Sequence, residues 1–130
     1  MFTPGSAIKT SFGSVYEYIH KENGLRVLLV PKHGSGVTAV MRVVHAGSKD
    51  ENKLTGQGVA HFIEHMSFRM DNGAIWKIAG RINAETDSDS TRYHVIIRSK
   101  DLAETLGVDA SRFSQAVVDV ANIPTERSAV

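Results

Sequence analysis

The chain has 130 residues, 42% of them hydrophobic and 22% charged, an ordinary globular composition with enough length to bury a core. The 15 Lys and Arg against 14 Asp and Glu leave a net charge of +1, so neither the basic excess of a nucleic-acid binder nor a cationic block for anionic lipid is present. The absence of cysteine excludes disulfide scaffolds, thiolate zinc sites and cysteine nucleophiles together.

The length is that of a single domain over residues 1–130. No apolar run approaches the roughly 20 residues that span a bilayer. The first residues lack a basic segment followed by an apolar one, so no signal peptide is expected. Residues 14–20 and 25–30, rich in aromatic, aliphatic and β-branched residues, predict two strands of a hairpin around Asn23-Gly24. Both of those residues tolerate positive φ. Residues 37–46 predict a third strand, and the polar stretch from Gly47 to Lys53 a loop.

Residues 58 to about 70 predict a helix. Val59, Phe62, Ile63, Met66 and Met70 recur at helical steps and make its apolar stripe. Asp71-Asn72-Gly73 ends it, and residues 74–80 are ambiguous. Residues 81–87 and 91–99 predict two more strands, with Tyr93, Val95 and Ile97 alternating in the second. A second helix is expected over residues 101–120, with Leu102, Leu106, Phe113, Val117 and Val120 on one side and Gly107 weakening it or breaking it in two. Grouped strands with two helices predict an α+β fold, a mixed or antiparallel sheet packed against helices.

His61-Phe62-Ile63-Glu64-His65 carries the chemistry. Residues four apart on a helix share a face, so His61 and His65 can aim imidazole nitrogens at one ion. Glu64 points the same way, within reach of a water on that ion. Two neutral imidazoles suit zinc, whose catalytic sites take three protein ligands and a water. Phe68 falls on this face, placed either to line a substrate pocket or to pack on a neighbouring element. The remaining reading of the motif is a solvated helix face that happens to hold two histidines.

His-x-x-Glu-His is the inverted zinc-peptidase motif, and here the chain resembles the pitrilysin/insulinase family. Asn23-Gly24-Leu25-Arg26-Val27 resembles the opening hairpin of that family. Ala46-Gly47-Ser48, Glu51, Gly56 and Gly58 precede the motif in the family order, and Met66-Ser67-Phe68 follows it. Asn83-Ala84-Glu85-Thr86 and Thr91-Arg92-Tyr93 resemble later strands, and Ala110-Ser111-Arg112-Phe113 and Glu126-Arg127 resemble later helical segments.

The resemblance implies an incomplete, N-terminal part of such a peptidase domain. It implies Zn²⁺ as cofactor, His61 and His65 as ligands and Glu64 as general base. It also implies that Asn83 and Ala84 lie on an edge strand where a substrate peptide pairs. A third, glutamate ligand is expected two helical turns beyond the position matched by Glu126, past Val130, so Glu126 is not assigned. The implied partners are a peptide or protein substrate and a second homologous domain or subunit, with self-association as another possibility. Neither nucleic acid nor a membrane span is expected. The alternative reading is a non-catalytic peptide-binding or assembly module that keeps the fold.

Overall fold

Four strands precede the first helix in the computed structural model, which describes residues 1–54, 58–68, 73–114 and 122–127. Among the described residues every strand pairing is antiparallel, and the strands fall into two three-stranded sheets. The α+β expectation is borne out. No helix among the described residues is long and apolar enough to cross a membrane.

Residues 1–35 form one compact unit, a sheet in the order β1-β2-β3. Its strands are β1 (Phe2–Thr10), β2 (Gly13–His20) and β3 (Arg26–Leu29). The Asn-Gly hairpin forms as expected. Gly24 sits at φ 70°, where a side chain would be strained. The Asn23 side-chain oxygen accepts from the Leu25 amide at 3.1 Å and contacts the His20 ring at 3.0 Å. Glu17 and Arg26 pair diagonally across β2 and β3 at 2.7 Å, and the guanidinium holds the carboxyl below its usual pKa. Strand β1 is absent from the expectations because Pro4 and Gly5 interrupt it. As an edge strand it tolerates both, at the cost of a register shift between Pro4 and Ala7. No residue of this unit is buried.

Residues 36–130 form the second unit. Its sheet has the order β4-β6-β5, from β4 (Val37–Val44), β5 (Arg81–Thr86) and β6 (Thr91–Arg98). The alternation in β6 is real: Thr91, Tyr93, Val95 and Ile97 are buried, while their neighbours are not. Before the first helix, Ser48–Leu54 forms a 3-10 segment where a loop was expected. It is docked on the β5–β6 turn by the Ser48 and Lys49 amides, each 3.1 Å from the Asp87 and Ser88 carbonyls respectively. This approach requires Gly47, because a Cβ there would lie 2.2 Å from the Asp87 carbonyl oxygen.

Among the described residues this unit has four α-helices, α1 (Val59–Ser67) and α2 (Ala74–Ile78) between β4 and β5, and α3 (Leu102–Ser114) and α4 (Ile123–Arg127) after β6. The ambiguous stretch is therefore helical, with Ile75 buried at its centre. Helix α3 runs through Gly107 without a break. Met70, Val117 and Val120 lie outside the described residues.

Two apolar stripes expected from helical periodicity differ from the buried faces. Ile63 is 50% exposed and Leu106 48%, while the buried residues of α1 include Glu64 and Ser67 and those of α3 are Thr105, Asp109 and Arg112. The physical reason is that neighbouring elements supply partners. Arg42 bonds Asp109 through Nε at 2.9 Å, and Arg112 reaches the other Asp109 oxygen at 3.2 Å. The Arg112 guanidinium also lies 4.9 to 5.4 Å from the ring centres of Phe113, Phe68 and Tyr93. A paired charge packed among rings can be buried; an unpaired one cannot.

Candidate metal centre

Helix α1 begins at Gly58, which adopts a left-handed conformation and offers no side chain to cap the helix. The cap comes instead from Glu51, whose Oε1 accepts from the Ala60 amide at 2.9 Å. A carboxylate at a helix N-terminus satisfies an otherwise orphaned donor and complements the helix dipole. This fixes the start of the turn that carries the motif.

His61 and His65 stand one turn apart. Their Nε2 atoms lie 3.2 Å apart, with ring centres at 4.7 Å and planes at 82°. Two nitrogens each about 2.0–2.1 Å from a tetrahedral zinc are roughly 3.3–3.4 Å apart. The imidazole pair therefore fits two corners of such a site. His61 is exposed and His65 half-buried, so the pair opens to the surface. Among the described residues, no group of three or more His, Asp or Glu side chains is placed to hold a metal ion.

Glu64 is not on the open surface with them. It is 6% exposed, and its Oε2 accepts from the Thr86 hydroxyl at 2.7 Å. The next turn closes locally, since the Ser67 hydroxyl donates to the Glu64 carbonyl at 2.7 Å. Tyr93, buried on β6, packs its ring against Phe68 at the end of the same helix. Burial pushes its phenol above the usual pKa; the nearby Ser67 hydroxyl and the charges of Arg112 and Arg42 oppose that rise, and the charge of Glu64 adds to it.

Phe68 caps the end of α1, its ring 5.9 Å from that of Trp76 and 6.0 Å from that of Tyr93. Asn83 and Ala84 lie on β5, at the edge of the described sheet, opposite His94 and Tyr93 respectively. Asn83 is exposed and Ala84 half-buried, on opposite faces of the strand. Strand β5 meets the motif through Thr86. The backbone of Glu126 is in α4.

The sequence model of the insulinase family, peptidase family M16, matches residues 26–130. The chain belongs to the insulinase family. The match takes in β3, the motif helix and both strands of the β5–β6 hairpin. Among curated relatives, this insulinase-family chain is 31% identical over 119 residues to the mitochondrial-processing peptidase subunit beta of Rattus norvegicus, covering 84% of the chain and 24% of the relative. It is 32% identical over 100 residues to the zinc protease PqqE of Helicobacter pylori, covering 70% of the chain and 22% of that protein. The mitochondrial-processing peptidase subunit beta of Blastocladiella emersonii is 29% identical over 116 residues, covering 83% of the chain and 25% of the relative. The chain thus spans about a quarter of the length of the curated relatives it matches. The family resemblance read from the motif is borne out, and with it a peptidase-type assignment at the level of the family.

Glu51, Ser67, Thr86, Tyr93 and the Arg42–Asp109–Arg112 cluster had no assigned role from sequence. Glu51, Ser67, Thr86, Tyr93 and Arg112 stand within the segments that carry the resemblance, which was the available signal. Nothing in local spacing marks Arg42 or Asp109, because the two are 67 residues apart in sequence.

Proposed function

We propose that the chain is the N-terminal portion of a zinc metalloendopeptidase, with His61 and His65 as two metal ligands and Glu64 as general base. The observation that carries this reading is the convergence of the two Nε2 atoms at 3.2 Å, one residue from a buried carboxylate on the same helix. Membership of a peptidase family supports it, as does a relative named as a zinc protease. The third ligand of a catalytic zinc, in this reading, comes from outside the described residues.

Zinc, when bound, would supply Lewis acidity to the scissile carbonyl and acidity to a water. The remaining chemistry belongs to this chain. With Oε2 engaged by Thr86, Glu64 takes the proton of the attacking water on Oε1 and returns it to the departing amine. Asn83 and Ala84 offer β5, the edge strand among the described residues, to an extended peptide, whose backbone pairs with the strand. Phe68 supplies an apolar wall. A second homologous domain or subunit encloses the peptide; the relatives named as subunits support this part of the reading.

The test is metal content after equilibration with limiting zinc. We expect about one zinc per chain. The His61→Ala, His65→Ala double variant should hold far less, and equal content in the two proteins overturns the assignment. The 130-residue chain alone should hydrolyse an unstructured fluorogenic peptide poorly, because it spans about a quarter of the length of its relatives and leaves the substrate unenclosed. Equal, chelator-sensitive hydrolysis by this chain and by the same chain followed by its native downstream sequence would show that the chain suffices.

A further inference from the structure

Glu64 is enclosed, and one neighbouring hydroxyl holds the oxygen that orients it. Thr86 and Thr91 face each other in register at the closed end of the β5–β6 hairpin, their hydroxyl oxygens 3.5 Å apart. Each has a single proton to give. Thr91 gives its proton to the Ala46 carbonyl at 3.0 Å, and Thr86 gives its own to Glu64 Oε2 at 2.7 Å. The bond to Glu64 is charge-assisted, the stronger kind. The β-branch of Thr86 restricts its χ1, so the direction of the hydroxyl follows the strand backbone. Ala84 is two residues away on the same face of that strand.

We infer that Thr86 is a positioning residue for Glu64, so that the strand offered to a peptide also sets the orientation of the base. This rests on the function proposed above. Thr86 fixes Oε2 and leaves Oε1 as the oxygen that takes the proton. A peptide paired along β5 stiffens the backbone that carries Thr86, which links occupancy of the edge to readiness of the carboxylate. Loss of the hydroxyl should therefore lower kcat and leave KM and metal binding alone.

The experiment uses the natural protein that carries this chain, with Thr86→Val, Thr86→Ser and Glu64→Gln variants measured in parallel on a fluorogenic peptide. Thr86→Val keeps the shape and removes the donor; Thr86→Ser keeps the donor. Thr86→Val should reduce kcat about 10- to 100-fold, the usual cost of losing a hydrogen bond that orients a group beside a metal. Its KM and zinc content should stay within about twofold of wild type, and Thr86→Ser should recover most of the rate. If Thr86→Val does not fold, Thr86→Ala compared with Thr86→Ser reads the same hydroxyl.

A readout independent of turnover is the unfolding midpoint, where the losses from Thr86→Val and Glu64→Ala should be non-additive. The inference is overturned by wild-type kcat in Thr86→Val, by equal impairment in Thr86→Ser, by zinc loss in step with kcat, or by strict additivity of the two midpoint losses. Failure of the function itself looks different: Glu64→Gln then turns over at the wild-type rate.

Discussion

The imidazole pair and the carboxylate of α1 are neighbours in sequence and opposites in environment. His61 and His65 meet at the surface, with His61 exposed and the two rings edge to face. Glu64 lies in an enclosed seam with Ser67, Thr86, Thr91 and Tyr93, where three of the residues, Glu64, Ser67 and Thr91, are at most 6% exposed. The pair costs little to keep, because open imidazoles are solvated. A buried carboxylate is tolerable only with a donor in place. The difference teaches that one helix can hold a replaceable ligand pair and a fixed base at once. The first is set by spacing alone, the second by the sheet beneath.

The largest expected effect breaks the chemistry and leaves the geometry. In the natural protein, Glu64→Gln should lower turnover by about 10²–10⁴, the usual contribution of a general base, with zinc content unchanged. Peptide hydrolysis and metal analysis check it; full turnover at normal metal content would place the base elsewhere. Stability should separate the two regions next. Met66, 1% exposed beside Glu64 and His65 in the chain, should cost about 2–5 kcal/mol on replacement by Ala. The His61→Ala, His65→Ala variant without metal should cost less than about 0.5 kcal/mol. Chemical denaturation measures both, and equal losses would end the division between open pair and enclosed seam.

Smaller effects sharpen the contrast. Glu51→Ala removes the acceptor for the Ala60 amide and should destabilise the motif helix by about 0.5–2 kcal/mol, the range of lost N-caps. Amide exchange should quicken first at the start of α1; uniform acceleration would mean that Glu51 acts elsewhere. The smallest effect is confined to alkaline pH. Burial raises the Tyr93 pKa above its ordinary value of 10.0, so the folded state resists forming the phenolate. Its contribution is fully present below about pH 10 and is lost as pH rises through the higher folded value. Tyr93→Phe should flatten that alkaline decline, and an unchanged slope would show that Tyr93 does not set it.

The sequence was informative wherever the signal was local. The Asn23-Gly24 turn, the alternation of Tyr93, Val95 and Ile97, and the four-residue step from His61 to His65 each depend on a few adjacent positions. Backbone geometry turns such spacing directly into a turn, a buried face or a ligand pair. Strand β1 was hidden because Pro4 and Gly5 argue against a strand until β2 provides an edge to pair with.

The family, the α+β class and the imidazole pair were thus determined by the sequence itself. Tertiary structure decided which helix faces are buried. Ile63 and Leu106 satisfy the helical period yet stand exposed, whereas Glu64 and Arg112 are enclosed. A helical wheel ranks residues by polarity, but it does not contain the hydroxyl that reaches Glu64 from 22 residues away. Nor does it contain the carboxylate and rings that surround Arg112. Burial of a polar group is decided by the partner it finds, and those partners are brought in by chain segments that only the folded sheet places beside the helix.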